Sequence, residues 1–268
     1  MPDWIVIVLL GIVEGITEFL PVSSTGHLLI AEHWLPRQTD LFNIVIQSAA
    51  VLAVLPLFRD RLSQFIFRWR EKATQGYAAK LILAVALTGG PGYLLEKRGF
   101  KLPEALGPVA WALVIGGIAF LLVETWLRAK TQQNEVTWTI AVAVGLGQLI
   151  AAVFPGASRS GTTIVLCLLL GLTRPAATEF CFLVGIPTML AAGVLKIFKA
   201  LHHPPVGAPP EQWGMVLLGF AVSAIVSFIV VKWLLRYIQT HTFVIFGWYR
   251  VAVGAGLLWL LHAGCLAN

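Results

Sequence analysis

Apolar runs broken by short polar clusters make up most of the chain, and their lengths are unequal. Four runs, Glu104–Leu127, Ala176–Ala200, Gly214–Tyr237 and Phe243–Leu266, each approach the roughly 20 residues that a helix needs to cross a bilayer. Phe42–Phe58 and Leu81–Leu95 are shorter but bounded by charge, and bring the predicted spans to six. Two other segments do not read as spans. Trp4–Leu20 runs into Pro21-Val22-Ser23-Ser24-Thr25-Gly26, followed only by the short apolar piece His27–Leu35. Trp138–Phe154 runs into Pro155-Gly156-Ala157-Ser158-Arg159-Ser160-Gly161 and then Thr162–Leu172. In each, a helix is broken by a Pro/Gly/Ser loop and the second arm is too short to cross. Irregular backbone at membrane depth is tolerated only when buried in protein or lining a wet cavity, so both segments are predicted as re-entrant helical hairpins.

The two hairpins also match each other. Gly11 aligns with Gly145, Glu14 with Gln148, Pro21 with Pro155 and Ser24 with Ser158, at one offset and without gaps. Three predicted spans follow each hairpin, and an odd number of crossings inverts the second half relative to the first. The expected fold is an all-α polytopic membrane protein. It forms one integral membrane domain over residues 1–268, with six transmembrane helices plus two re-entrant helical hairpins in inverted-topology repeats, repeat 1 about 1–130 and repeat 2 about 131–268. Such repeats place a site near the midplane.

Composition supports the membrane reading: 58% of residues are hydrophobic and only 12% charged, where a soluble domain carries roughly a quarter. The start, Met1-Pro2-Asp3-Trp4, lacks the basic lead-in of a signal peptide. The net charge of +6 does not point to nucleic acid, because the basic residues gather in one loop, Arg59 to Lys80, as a juxtamembrane segment facing anionic lipid would. Arg59, Arg61, Arg68, Arg70, Lys72 and Lys80 mark that loop as cytoplasmic. Alternation then puts Arg128, Lys130, Arg174, Lys232 and Arg236 inside and Lys97, Arg98, Lys101, Lys196 and Lys199 outside, with both termini and the first hairpin opening outward. Trp69, Trp138, Trp213 and Trp259 lie near span ends, as an aromatic belt does, and His202, His203, His241 and His262 read as interfacial residues. Cys167, Cys181 and Cys265 lie in apolar stretches without C-x-x-C spacing and read as packing residues.

The chemistry concentrates in the two polar loops. Glu14 and Glu18 stand one helical turn apart within an apolar segment, on one helix face. Paired charge in the membrane is costly. It reads as a carboxylate site for a divalent cation, Mg²⁺ or Ca²⁺, or for proton transfer, the alternative being two solvated residues at a helix end. Pro21 to His27 offers the hydroxyls of Ser23, Ser24 and Thr25, a permissive Gly26 and the imidazole of His27. Ser24 with His27 suits a nucleophile and its base, His27 suits a general acid, and Ser24 or Thr25 equally suits a helix cap. In the second loop, Gly156 and Gly161 let backbone N–H groups approach an oxyanion, Ser158, Ser160 and Thr163 add donors, and Arg159 supplies a planar fork for phosphate. The competing role for Arg159 is a purely structural pairing with Glu14 or Glu18. Arg250, within the last span beside Tyr249, is a further buried-charge candidate; because it could equally pair with Glu179, it is assigned no role in the chemistry.

Glu14 to His27 and Pro155 to Thr163 resemble the two signature motifs of the undecaprenyl-diphosphate phosphatase family of the BacA/UppP type. The resemblance runs through most of the chain, including Glu179-Phe180 and Tyr249-Arg250. It implies an enzyme of the bacterial inner membrane that hydrolyses undecaprenyl diphosphate to undecaprenyl phosphate and inorganic phosphate. That reaction recycles the carrier lipid for cell-wall synthesis and confers bacitracin resistance. The resemblance further implies re-entrant hairpins with a groove facing the periplasm. It assigns Glu18, Ser24, His27 and Arg159 to catalysis and Glu14 with Glu18 to a metal. Ser23, Thr25, Gly26, Ser158, Arg159, Ser160, Gly161 and Thr163 are then expected around the diphosphate. The partners implied are the lipid-linked polyprenyl diphosphate, membrane lipid and a second copy of the chain, with no nucleic acid. Two stretches depart from the family pattern, Leu87-Thr88-Gly89-Gly90-Pro91-Gly92 and Asn134 to Ala143, and both put helix geometry in question. A polyprenyl-phosphate transporter or flippase is the rival reading, since inverted repeats with broken helices are a transporter architecture. A carrier of apolar cargo does not require the hydroxyl, imidazole and guanidinium set, and a purely structural subunit leaves the midplane charges unexplained.

Overall fold

The computed structural model describes residues 1–98, 105–127, 131–202 and 212–266. Helices follow one another along the chain: α1 (Asp3–Thr17), α2 (Ser24–Trp34), α3 (Asp40–Val54), α4 (Arg59–Phe67), α5 (Lys72–Lys97), α6 (Leu106–Leu127), α7 (Trp138–Val153), α8 (Arg159–Leu169), α9 (Arg174–His202), α10 (Trp213–Tyr237) and α11 (Val244–His262). A single 3-10 turn, Leu55–Phe58, joins α3 to α4. Among the described residues, six helical stretches are long and apolar enough to cross a membrane: Asp40–Phe67, Lys72–Leu95 within α5, and α6, α9, α10 and α11. The predicted span at Glu104 begins outside the described residues, as do Lys101, Arg128, Lys130 and His203.

Boundaries shift where hydropathy is a poor guide to helix. α5 starts at Lys72, well before Leu81, because Lys72-Ala73-Thr74-Gln75 and Ala78-Ala79 propagate a helix without being apolar. It also runs unbroken through Gly89-Gly90-Pro91-Gly92, where an added Cβ on any of the three glycines would meet open space. Caps mark other starts. Thr39 accepts from Phe42 N at 3.1 Å to begin α3, and Thr137 from Ile140 N at 3.3 Å to begin α7.

Lipid supplies no hydrophobic drive between helices, so close contact must. α1 lies against α10 and α6 against α11, with glycine at the crossings. A Cβ on Gly15 would stand 2.8 Å from the Ser223 carbonyl, and one on Gly117 would stand 2.6 Å from the Gly247 carbonyl. The main core gathers Phe19 and Val22 from the first loop with Val51, Phe120, Val144, Ile164, Phe180 and Val231 from six different helices. Both polar loops are thereby carried inside the bundle.

Buried ion pairs fix the rest. Glu124, 1% exposed, pairs with Arg174 and accepts from Phe243 N at 2.8 Å, so α6, α9 and the start of α11 share one carboxylate. Glu179 accepts from Arg61 Nε at 2.6 Å. The alternative of a Glu179–Arg250 pair is therefore not the one taken: Glu179 pairs with Arg61 of α4, and Arg250 is held elsewhere. Of the cysteines, Cys167 and Cys181 pack with sulfurs 3.6 Å apart, whereas Cys265 is exposed and does not pack as expected.

Candidate active site

Each loop is built on a serine in a conformation that serine rarely adopts. Ser23 has φ 78° and Ser158 φ 65°, the left-handed region where a Cβ is penalised. Both serines turn the chain sharply into a helix and cap it: Ser23 Oγ accepts from Gly26 N at 3.3 Å and Ser158 Oγ from Gly161 N at 3.1 Å. Ser158 is therefore the counterpart of Ser23, not of Ser24 as the gapless alignment had it. The second loop carries one extra residue after its proline, with Gly156 taking φ 87° to accommodate it. By the same shift Ser24 corresponds to Arg159, and those two residues meet on one carboxylate.

That carboxylate is Glu18, 2% exposed in its side chain. Its Oε1 receives Arg159 Nη2, and its Oε2 receives the Ser24 hydroxyl at 2.5 Å and lies 3.4 Å from Gln47 Nε2. Arg159 keeps 29% of its side chain exposed, so the guanidinium is held by Glu18 on one side and open on the other. α2 and α8 both begin at these loops, and the first residue of each, Ser24 and Arg159, reaches Glu18, where an N-terminal partial positive charge favours an anion. A hydroxyl hydrogen-bonded to a buried carboxylate, beside a fixed guanidinium and two helix N-termini, is equipped to attack and stabilise a phosphoryl group.

Ser24 and His27 do not meet as expected. His27 Nδ1 lies 2.7 Å from the Ser23 carbonyl, which requires Nδ1 to donate, and Nε2 lies 2.7 Å from Tyr249 Oη and accepts from it. Both bonds suit a neutral ring, and burial pushes the imidazole below its ordinary range. The group facing Ser24 is the Glu18 carboxylate. The anion loop differs as well. Ser160 Oγ donates to the Leu20 carbonyl at 3.1 Å, Thr163 Oγ1 to the Arg159 carbonyl at 2.8 Å, and Ser158 Oγ is the cap, so these three hydroxyls bind protein. Thr25 is exposed. Gly161 makes room for a cation, since a Cβ there would stand 2.9 Å from Arg250 Nη1.

Glu14 is buried one turn below Glu18, and among the described residues its oxygens meet no donor from any group other than the Glu18 carboxyl. An ionised carboxylate left so would be costly, so the position requires a proton or a cation. Two carboxylates on one helix face, one of them without a donor outside the pair, fit a divalent cation whose remaining ligands are phosphate oxygens and water.

Sequence reasoning missed three residues. Gln47 projects from α3 onto Glu18, with Asn43 one turn before it on Glu32 at 3.1 Å. The signal was available as two amides four apart in an apolar run. Tyr249 orients His27. Arg250, fully buried, spends its guanidinium on carbonyls: Pro21 at 3.0 Å from the first loop, Gly156 at 3.3 Å and Ala157 at 3.2 Å from the second, and Ala112 at 3.0 Å from α6. It ties both loop tips together.

The model of the family described as "Bacitracin resistance protein BacA" matches residues 7–256. The chain belongs to the BacA family. The BacA match includes every site residue from Glu14 to Arg250. The undecaprenyl-diphosphatase of Rhizobium etli (strain CIAT 652) is 49% identical over 266 residues, 99% of this chain and 100% of that protein. The undecaprenyl-diphosphatase of Xanthomonas axonopodis pv. citri (strain 306) is 48% identical over 262 residues, 97% of this chain and 98% of that protein.

Proposed function

We propose that this BacA-family chain hydrolyses undecaprenyl diphosphate to undecaprenyl phosphate and inorganic phosphate, recycling the carrier lipid and so conferring bacitracin resistance. The observation that carries the reading is one buried carboxylate, Glu18, shared by the Ser24 hydroxyl and the Arg159 guanidinium. Arg159 and the N-termini of α2 and α8 bind the terminal phosphate and oppose its charge. Ser24 Oγ attacks the terminal phosphorus as its proton passes to Glu18. The Oγ–P bond forms, the bridging P–O bond breaks, and undecaprenyl phosphate leaves. Water then attacks the phosphoserine, Glu18 returns its proton to Oγ, and the water's second proton departs with inorganic phosphate. His27 and Tyr249 hold the Ser23 carbonyl so that Ser24 stays aimed at Glu18. Glu14 and Glu18 would hold a divalent cation, Mg²⁺ or Ca²⁺, which would neutralise diphosphate oxygens when bound.

Two re-entrant hairpins in inverted repeats, opening to the periplasm from the bacterial inner membrane, are part of the same proposal. The arms support it. α1, at fifteen residues, reaches about 22 Å, short of a hydrocarbon core of about 30 Å. Helix packing supports it too: α1 lies on α10 as α7 lies on α5, and α3 on α10 as α9 on α5, which is the exchange a repeat axis produces.

The test is release of phosphate from undecaprenyl diphosphate by the purified protein, with trapping of a phosphoenzyme from terminally labelled substrate. Wild type should release phosphate and carry label, Ser24→Ala should do neither, and Glu18→Gln should lose at least about 10²-fold in kcat. Phosphate release without label would replace Ser24 by water as nucleophile. No release, with polyprenyl phosphate moved across vesicles, would instead establish the flippase.

A further inference from the structure

At the end of the bundle where α3 finishes and α5 begins, α4, the start of α5 and the segment before α7 enclose a cavity of about 440 Å³. It takes no part in the chemistry above. Arg61, Arg68, Lys72 and Lys80 line it against two carboxylates, Glu71 and Glu135, and with Glu179 paired to Arg61 from beside the cavity a surplus of one positive charge remains. Two of the cations are held in place. Arg61 is gripped by Glu179 and lies 4.4 Å over the Tyr77 ring, and Lys80 Nζ stands 5.8 Å over the Trp138 ring. The other two are exposed: Arg68 is 64% exposed in its side chain and approaches Glu71 at 3.9 Å, and Lys72 is exposed. Two anchored cations beside two exposed ones are suited to an anion that enters from the exposed side.

The neighbouring residues say where that anion comes from. Ile66 is 71% exposed, Phe67 83% and Trp69 50%, consecutive with Arg68 and Arg70 at the end of α4. Such apolar side chains lie favourably in the bilayer interface, and the cations interleaved with them then stand at headgroup level. We propose that this cavity binds the phosphodiester headgroup of an anionic phospholipid, with Arg61 and Lys80 as its floor and Arg68 and Lys72 closing over the phosphate.

The experiment uses the full-length protein in phosphatidylcholine nanodiscs containing a minor fraction of phosphatidylglycerol, with co-purifying lipid counted by native mass spectrometry. Wild type should retain phosphatidylglycerol in preference to phosphatidylcholine. The Arg68→Gln/Lys72→Gln variant should bind it at least tenfold more weakly, since each basic residue at the surface contributes about 1 kcal/mol. A matched variant, Arg59→Gln/Arg70→Gln, removes the same charge outside the cavity and should stay within about twofold of wild type. Equal losses in both variants would mean diffuse attraction and overturn the site. Displacement of the lipid by millimolar inorganic phosphate would identify the occupant as a free phosphate and also overturn it. Phosphatase activity serves as the fold control, and its loss in every variant including wild type would count against the hydrolytic reading without touching the lipid count.

Discussion

Arg159 separates binding from chemistry. Arg159→Lys keeps the charge but loses the planar fork that reaches Glu18 and a phosphoryl oxygen together. A fall in kcat of about 10²–10³ with little change in KM is expected, the scale of one lost transition-state donor. Steady-state kinetics on a prenyl diphosphate measure both, and near wild-type kcat in a folded variant would make Arg159 structural. His27 supplies a pH test. Its ring is pushed below the ordinary histidine value of about 6.5, so it is neutral at pH 7 and protonates only on further acidification. Tyr249 donates to the neutral ring, and removing that donor favours the imidazolium. The acid limb of kcat/KM should therefore move to higher pH in Tyr249→Phe. An unmoved limb would exclude His27 as its source. Glu18 and Arg159 were both legible as buried charges in apolar sequence. Their meeting was not, because 141 residues separate them and only packing of the two loops brings them together.

At the scale of elements, the two loops are joined by Arg159 on Glu18, by Ser160 on the Leu20 carbonyl and by Arg250. Arg250 connects the Pro21 carbonyl to those of Gly156 and Ala157 and is itself wholly buried. Arg250→Met leaves those carbonyls without their donor, and a destabilisation of about 3 kcal/mol or more is expected, read as a lowered thermal midpoint in detergent. Arg250→Lys should recover part of the midpoint and little of kcat, since an ammonium cannot span both loops. Equal recovery of the two would reduce Arg250 to a stability residue. Helix α1 meets α10 across Gly15, and Gly15→Val should cost about 1–3 kcal/mol by forcing apart backbones that now touch. The two segments in which a helix breaks at a polar loop were recognisable from period and loop chemistry. Their relative register was not, because a gapless alignment weighs proline and serine letters, whereas the structure aligns the caps that left-handed serines make.

For the whole molecule, orientation is testable without knowledge of the chemistry. In a Cys265→Ser background, cysteine at exposed Gln75 should be shielded from an impermeant thiol reagent in intact cells, and cysteine at exposed Gln212 should label. The reverse pattern would turn the groove toward the cytoplasm and end the recycling role. Chelator should abolish wild-type turnover if Glu14 and Glu18 share a cation, and restoration should follow added Mg²⁺ or Ca²⁺. Full activity in chelator would leave Glu14 as a proton carrier.

The amino-acid pattern by itself determined the solvent, the number of spans and the two places where helices break, because each follows from run length and local backbone preference. It also identified the charged residues worth watching, since an unshielded charge among apolar neighbours is costly wherever the chain goes. Only the tertiary structure decided partners. Glu18 rather than His27 faces Ser24, Arg61 rather than Arg250 takes Glu179, and the Ser160 and Thr163 hydroxyls donate to backbone carbonyls, Ser160 to that of the other loop. A hydrogen bond is decided over about 3 Å, and no spacing along a sequence fixes a distance between two loops that meet only when six spans have packed.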